Sequence, residues 1–273
     1  MAIAGNALPP HETERIVRHF GRLGRIDYFT GRYSLSARAK KSIQKTTRAR
    51  LAGKPLQHLL KEAPFFGHSF FASKEALIPR PETEILVEEA LQMLRVTRAT
   101  RPRILDLGTG SGCVAISLTI ARPDCRMTAL DVSPKALAVA RKNRDSHGLR
   151  SKIKLVQSDL FNVFRGKKGT AWDVIVSNPP YIPGPDIRFL PGDVQAEPRL
   201  ALDGGADGLS IVRRLLSEAP DYLRKDGFIL IEIGKGQSKQ LAKEMNRDER
   251  YKNLRFAKDL AGTERILVIQ KNG

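Results

Sequence analysis

Cysteine is scarce in this chain, which holds only Cys113 and Cys125 among its 273 residues. Two cysteines are too few for a disulfide framework, and they have no partners at the spacing of a zinc site. The five histidines are scattered, without a His-x-x-x-His pair: His11, His19, His58, His68 and His147. We therefore expect no metal centre and a reducing, cytoplasmic environment.

Long apolar runs are also missing from the sequence. None approaches the ~20 residues that a membrane helix needs. The first fifteen residues, MAIAGNALPPHETER, lack the cationic and then apolar order of a secretory signal. The expectation is a cytoplasmic protein without membrane contact.

Acidic residues are few relative to basic ones, with 29 Asp and Glu against 47 Lys and Arg and a formal charge of +18. Residues 1–80 alone carry 15 basic and 5 acidic residues. This excess favours an anionic partner, such as nucleic acid or an acidic protein. The most basic run, residues 22–54, is compatible both with a docking surface and with a solvated helix face.

The N-terminal part shows a helical pattern before Pro55, with Ser34 or Ser36 as a cap and Gly53 as a stop. The apolar face of this helix is predicted from four residues: Leu35, Ala39, Ile43 and Leu51. Residues 64–79 are apolar and aromatic around Gly67, which predicts a short hairpin or an extended linker. The predicted division is a helical domain (1–63), a hairpin or linker (64–80) and a second domain (81–273).

Strands and helices alternate in the second domain. Strands are predicted at six apolar runs: 103–108, 126–131, 152–159, 172–178, 228–233 and 265–270. Helices are predicted at 112–121, 134–147, 208–219 and 237–246. The alternation predicts an α/β fold with a Rossmann-like, doubly wound, mainly parallel sheet. Ligands of such sheets bind beyond the carboxyl ends of the strands.

The first of these strands ends in a glycine-rich turn, Asp106-Leu107-Gly108-Thr109-Gly110-Ser111-Gly112. Glycines let the backbone lie against a ligand, and the following helix offers free N–H groups. Gly110, Gly112 and Ala115 also match the G-x-G-x-x-[GA] pattern of dinucleotide folds. Asp106 favours a cationic ligand over a pyrophosphate. S-adenosylmethionine, with its sulfonium and ammonium groups, is such a ligand.

Two further carboxylates end the next two strands. Asp131 follows Gly112 at the spacing from which a carboxylate accepts both hydroxyls of a ribose, although it can also cap a helix. Asp159 can accept from an adenine amino group, and Leu160 can cover the ring. Turn formation is an alternative explanation for Asp159. Together the three strand ends fit an adenosine that carries a cationic group.

The fourth strand ends in Asn178-Pro179-Pro180-Tyr181. Prolines lack the N–H that sheet pairing requires, so the chain must leave the sheet here and free its carbonyl groups. The Asn178 side chain adds a carbonyl acceptor and an amide donor. Two neighbouring acceptors can hold a planar –NH2 group, with Tyr181 over or beside its plane. The pattern predicts a site for an amide or an aromatic amine.

The glycine-rich turn (106–112) and the Asn-Pro-Pro-Tyr tetrapeptide (178–181) together resemble the class I S-adenosylmethionine-dependent methyltransferases that modify planar amino nitrogens. The segments LIPRPETE (77–84) and GDVQAEPR (192–199) resemble the HemK/PrmC family of protein glutamine methyltransferases, and the resemblance runs from about residue 50 to the carboxyl terminus. It implies methyl transfer to the glutamine of the Gly-Gly-Gln loop of peptide chain release factors, with S-adenosylhomocysteine as the other product.

The resemblance also implies that residues 1–63 form a helical substrate-docking domain and residues 81–273 the S-adenosylmethionine-dependent methyltransferase domain. It implies a set of site residues as well. The cofactor-binding residues are expected to be Asp106, Gly108, Thr109, Gly110, Ser111, Gly112, Asp131, Asp159, Leu160 and Asn178. The substrate-binding residues are expected to be Asn178, Pro179, Pro180 and Tyr181, of which Asn178, Pro179 and Tyr181 are catalytic.

Other functions remain open on the sequence. The tetrapeptide is shared with adenine and some guanine methyltransferases of nucleic acids, and the family also includes a branch that modifies a ribosomal protein. The Pro-Glu-Thr-Glu sequence at residues 81–84 favours the release-factor branch. Nucleic-acid contact is expected to be secondary, because only Tyr28, Phe29 and Tyr33 could stack on bases in the basic run. A non-catalytic binding module is a further alternative, but it would give Asn178 and Tyr181 no function. A nicotinamide-dependent enzyme is disfavoured by Asp106, whose carboxylate would lie near the pyrophosphate of the cofactor.

Overall fold

Four helices form the N-terminal part of the chain. The computed structural model describes residues 8–97, 99–167 and 171–273, so the stretch MAIAGNA, on which part of the secretory-signal argument depended, lies outside the described residues. The helices are α1 (Pro10–Gly21), α2 (Arg25–Thr30), α3 (Ala37–Leu51) and α4 (Leu56–Leu60).

Helix α3 begins where the sequence predicts. The Ser36 hydroxyl accepts a hydrogen bond from the Ala39 N–H at 3.2 Å, which confirms Ser36 as the cap. Ala39 and Ile43 are buried, but Leu51 is 52% exposed, so its predicted place on the apolar face is wrong. Leu51 is the last residue of α3, where the chain turns away through Gly53 at a φ of 85°.

The N-terminal helices share a small core of their own, formed by Ile16, Val17, Ile43, Leu56 and Leu60. A hairpin follows, with β1 (Ala63–Phe65) paired to β2 (His68–Phe70). Its turn residues Phe66 and Gly67 both have positive φ, as a two-residue hairpin turn requires. The predicted hairpin is confirmed, whereas the exact division of the chain into domains stays a prediction.

A seven-stranded sheet occupies the rest of the chain, in the order β5-β4-β3-β6-β7-β9-β8. Its strands are β3 (Arg103–Leu107), β4 (Arg126–Asp131), β5 (Ile153–Gln157), β6 (Trp172–Ser177), β7 (Leu223–Glu232), β8 (Tyr251–Lys258) and β9 (Glu264–Lys271). Strands β3 to β7 run parallel, and β9 is antiparallel to both β7 and β8. The predicted doubly wound, mainly parallel sheet is confirmed.

In the described part of the chain, six α-helices accompany the sheet: α5 (Glu82–Val96), α6 (Cys113–Ala121), α7 (Pro134–Ser146), α8 (Gly192–Gln195), α9 (Ser210–Glu218) and α10 (Ser238–Met245). Successive residues of β3 point to opposite faces, so Ile104 packs with α5 and α6 while Leu105 packs with α9 and α10. Covering both faces produces the near-continuous apolar strands that the sequence shows. Within the described ranges, none of the helices combines the length and apolar character needed to cross a membrane.

Candidate active site

The carboxyl ends of β3 and β6 lie side by side, with Leu107 paired to Ser177. The Ser177 hydroxyl donates to the Leu107 carbonyl at 2.7 Å and fastens the two strand ends together. The strand order reverses between β3 and β6, and parallel α/β folds bind their ligands at such a point. A cavity of about 390 Å³ opens here.

Most of the residues predicted from the sequence meet in this cavity. Its lining includes Asp106, Gly108, Thr109, Gly110, Ser111, Asp131, Asp159, Leu160, Asn178, Pro179 and Pro180. Gly112 instead packs on α7, because a Cβ at this position would lie 3.3 Å from the Ala140 Cβ. Gly112 is thus needed for helix packing, whereas Gly108 and Gly110 face the cavity.

Gly108 and Gly110 leave open space beside the cavity. Their φ angles are 71° and 56°, which side chains disfavour. A Cβ on Gly108 would meet nothing closer than the Asn178 carbonyl at 4.0 Å, and one on Gly110 nothing closer than 3.9 Å. A ligand can therefore lie directly against this stretch of backbone.

Asp106 is buried at the end of β3, where its Oδ2 accepts from the Thr109 hydroxyl at 2.6 Å. Burial raises the pKa of Asp106 to about 7, and the nearby Asp131 adds to the rise while Thr109 opposes it. A cationic ligand in the cavity would stabilise the ionised form of this carboxyl group. The geometry is therefore compatible with the cation that the sequence favours.

Asp131 ends β4 and organises the loop around it. One carboxylate oxygen accepts from the Gly110 N–H and the other from the Ser133 N–H, both at 2.8 Å. Each oxygen keeps a lone pair for a further donor, such as a ribose hydroxyl. Burial raises the pKa of Asp131 despite these bonds.

Asp159 and Leu160 follow β5 at the rim of the cavity. The Asp159 carboxylate forms an ion pair with Arg214 of α9 at 3.0 Å, which the sequence did not indicate. Only one of its oxygens is engaged by Arg214, and Leu160 adopts a positive φ of 44° beside it. The roles predicted for these residues toward an adenine stay predictions.

The Asn178-Pro179-Pro180-Tyr181 segment leaves the sheet after β6, as its prolines predict. The Asn178 side-chain amide donates to the Thr83 hydroxyl of α5 at 3.0 Å. Tyr181 turns toward β7, where its hydroxyl donates to Glu232 Oε1 at 3.2 Å. The backbone carbonyl of Tyr181 accepts a hydrogen bond from the Gln237 side chain at 2.9 Å. The catalytic and substrate-binding roles of the segment stay predictions.

Sequence reasoning missed Thr83, which lines the cavity, and Glu232, which contacts Tyr181. Glu232 ends β7 and is only 1% exposed, and Thr83 is 2% exposed in the first turn of α5. A single acidic residue in the apolar run FILIEI was an available signal, because a carboxylate is rarely buried without a function or a partner. Burial raises the pKa of Glu232 to about 7.

The segments 77–84 and 192–199 come together over the cavity. Glu197 is buried and forms an ion pair with Arg80, and its second oxygen accepts from the Ile78 N–H at 2.8 Å. Pro79 and Pro198 line the cavity on either side of this pair. The two segments that resemble the glutamine methyltransferases thus form one wall.

The cavity fits S-adenosylmethionine in its chemistry. Asp131 offers free acceptor capacity for a ribose, Asp106 offers a negative charge, and the open backbone at Gly108 and Gly110 accommodates close approach. Among residues 8–97, 99–167 and 171–273, no group of three His, Cys, Asp or Glu could hold a metal ion.

Comparison with known proteins identifies the family. Residues 82–189 match the model of the family described as methyltransferase small domain. The release factor glutamine methyltransferase of Thermodesulfovibrio yellowstonii is 34% identical over 96% of this chain and 92% of its own length. The enzyme of the same name from Moorella thermoacetica is 42% identical, over 80% of this chain and 76% of its own length.

Solved structures support the fold. The hMettl16 catalytic domain, in complex with the MAT2A 3′UTR hairpin 1, superposes with a TM-score of 0.63, covering 96% of this chain and 91% of that one. Its sequence identity of 18% carries no argument about substrate. Identity above 30% over nearly the full length of a relative does decide the family, and the chain belongs to the release factor glutamine methyltransferases.

Proposed function

We propose that this protein transfers a methyl group from S-adenosylmethionine to the side-chain amide nitrogen of the glutamine in the Gly-Gly-Gln loop of a peptide chain release factor. The observation that carries the proposal is the place of Asn178, whose backbone carbonyl would lie 4.0 Å from a Cβ on Gly108. An amide-binding segment and a glycine-lined cavity for a cationic nucleoside thus share one site. The family membership supports the same substrate.

The residues of this segment hold the acceptor nitrogen. The Asn178 side-chain oxygen and the Pro179 carbonyl accept hydrogen bonds from the two N–H groups of the glutamine amide. An amide nitrogen is a poor nucleophile because its lone pair is delocalised into the carbonyl group. Two acceptors aimed at its protons favour a pyramidal nitrogen and direct the lone pair. Such positioning is worth up to ~7 to 11 kcal/mol in the best intramolecular reactions.

The cofactor supplies an electrophilic methyl group on a sulfonium, and the chain supplies the environment around it. Asp106 provides negative charge near the cationic part, and Asp131 accepts from the ribose. On transfer, the nitrogen would gain the methyl carbon as the carbon–sulfur bond of the sulfonium breaks, with its electron pair left on the sulfur of S-adenosylhomocysteine. The nitrogen must then lose one proton, which leaves through the acceptors on Asn178 and Pro179 to water. Since release factors act in translation, the proposal places the protein in the cytoplasm.

Labelled methyl transfer tests the proposal. The purified protein receives S-adenosylmethionine with a radioactive methyl group and, in parallel, a release factor, the same factor with the loop glutamine replaced by alanine, DNA, ribosomal RNA or ribosomal proteins. We expect label in the intact factor alone. Label in a nucleic acid or a ribosomal protein, or equal label in the factor without its glutamine, would contradict it.

A further inference from the structure

A buried carboxyl group lies behind the amide-binding segment. Glu232 is the last residue of β7, directly after Ile231, which pairs with Ser177 at the end of β6. This register places Glu232 beside the point where Asn178 leaves the sheet. Glu232 belongs to none of the sequence motifs, and it takes no part in the methyl transfer proposed above.

Two hydroxyl groups approach this carboxyl group. Tyr181 donates to Oε1 at 3.2 Å, and contact with Thr83 lowers the pKa of Glu232 against the rise that burial causes. The Thr83 contact falls short of a well-formed hydrogen bond, since Oε2 has no such bond from any residue in the described part of the chain. Oε2 is therefore a buried acceptor without a donor in the described residues, and a buried polar atom of this kind normally has a hydrogen-bond partner.

The direction of the hydrogen bonds follows from the chemistry of the carboxylate. Above about pH 7, where Glu232 is ionised, its carboxylate can only accept, so Thr83 directs its hydroxyl proton toward Glu232. The Thr83 oxygen then has only lone pairs left for Asn178, at 3.0 Å. Asn178 must present its –NH2 group to Thr83, and its carbonyl oxygen is directed away from Thr83.

We propose that Glu232 and Thr83 are positioning residues that fix which end of the Asn178 amide faces the substrate. This inference rests on the proposed function, in which the Asn178 oxygen accepts from the glutamine amide. If the Asn178 amide were reversed, its –NH2 group would face the –NH2 group of the substrate glutamine. The glutamine would then lose one of its two hydrogen-bond acceptors. Glu232 acts through Thr83 on Asn178, and through its own bond on Tyr181.

Asn178 itself provides a readout that needs no substrate. In the full chain, the side-chain amide protons of Asn178 are observed by nitrogen-15 NMR and identified by their loss in the Asn178→Asp variant. Hydrogen bonding to Thr83 should slow their exchange with water. We expect Thr83→Val to accelerate that exchange up to about 10-fold, the order expected for the loss of one hydrogen bond, and Thr83→Ser to leave it near the original value.

Glu232→Gln is the second variant. A carboxamide can donate to Thr83 as well as accept from it, so both orientations of Asn178 become possible. We expect faster exchange of the Asn178 protons here too, though less than in Thr83→Val. Unchanged exchange in both variants would overturn the inference, whether or not a release factor is the substrate.

Kinetics supply the functional arm of the test. Thr83→Val should lower kcat about 10- to 100-fold with little change in the KM for the release factor, and Thr83→Ser should restore most of it. The melting-temperature rise with S-adenosylhomocysteine checks that each variant is folded and binds the cofactor product. Unchanged kcat in a folded Thr83→Val variant overturns the inference. If the original protein modifies no release factor, the proposed function fails and the NMR result alone decides the inference.

Discussion

Arg80 and Glu197 form an ion pair that joins the two family-specific segments across one wall of the cavity. The Glu197 side chain is 1% exposed, and its second oxygen holds the Ile78 N–H at 2.8 Å. The pair therefore connects the chain before α5 to the chain after α8. These two segments are far apart in sequence, and neither resembles a catalytic motif by itself.

Replacing Glu197 should loosen this wall. In Glu197→Ala, Arg80 loses its partner and the Ile78 N–H is left without an acceptor, which should lower the free energy of unfolding by about 2 kcal/mol. Glu197→Gln is the matched control, since it keeps an acceptor for Ile78 and removes only the charge. Urea denaturation measures both, and equal losses would show that the backbone hydrogen bond contributes nothing.

We expect Gly108 to be needed for ligand binding as well as for the positive φ angle of the turn. Gly108→Ala places a methyl group in the open space beside the cavity, so we expect the affinity for S-adenosylhomocysteine to fall at least about 10-fold, or about 1.4 kcal/mol. Gly148→Ala is a matched control, because Gly148 has a φ of 70° against 71° for Gly108, and a Cβ there meets nothing within 4 Å.

The control variant carries the same backbone strain at a distance from the cavity. It should lower stability by about 1 kcal/mol and leave the affinity unchanged. Calorimetric titration measures the affinities. Equal binding by the two variants would show that Gly108 serves only the turn.

Binding of the cofactor should depend on pH through Asp106. The pKa of this carboxyl group is raised to about 7 by burial and by Asp131, and a bound cation would lower it. The ionised form then binds more tightly, so affinity should fall as the pH drops through about 7. Asp106→Asn should bind weakly and remove most of this dependence in titrations from pH 5.5 to 8.5. A wild-type affinity that is flat over this range would contradict the role of Asp106.

Glu232 should reduce stability at high pH. Its pKa is raised to about 7 from 4.5, so the folded state holds its proton longer than the unfolded state does. Stability from this group is present at low pH and is lost as pH rises between 4.5 and about 7. The charged and titratable groups that face Glu232 are Tyr181, Glu82, Arg265 and Cys113.

Glu232→Gln should therefore raise the melting temperature at pH 8 and change it little at pH 5. The gain at pH 8 is up to about 3 kcal/mol, from a pKa difference of about 2.5. Calorimetry of both proteins at the two pH values tests this. A variant that is less stable than the original at pH 8 would show that Glu232 is buried mainly for its hydrogen bonds.

The parallel strands were predictable from the sequence because burial on both faces makes each of them an apolar run. Strand β8 was missed, since it lies at the sheet edge and only Tyr251 is buried among the residues of YKNLRFAK. Helix α1 lies in the predicted helical domain, but its bounds were not predicted, because PHETERIVRHFG has only Ile16 and Val17 as buried residues. Strand β7 begins earlier than predicted, at Leu223, because polar residues precede its apolar run.

The candidate site was predictable where a motif follows a strand. Asp106 and Asp131 lie in the last two residues of a parallel strand and Asn178 directly follows one, and parallel strand ends meet at one edge of a sheet. The Thr83 contact with Asn178 spans 95 residues and depends on how α5 docks on the sheet. No local pattern encodes such a contact. The same holds for Glu197, which meets Arg80 across 117 residues.

The most direct test is methyl transfer by Asn178→Ala under single-turnover conditions, with a release factor as acceptor. Because the variant loses an acceptor aimed at the substrate amide, we expect its rate to fall by at least about 10²-fold, or about 3 kcal/mol. Its melting temperature should still rise with S-adenosylhomocysteine. Transfer to the loop glutamine at the original rate, by a folded variant, would contradict the assignment of Asn178 as the residue that binds the acceptor nitrogen.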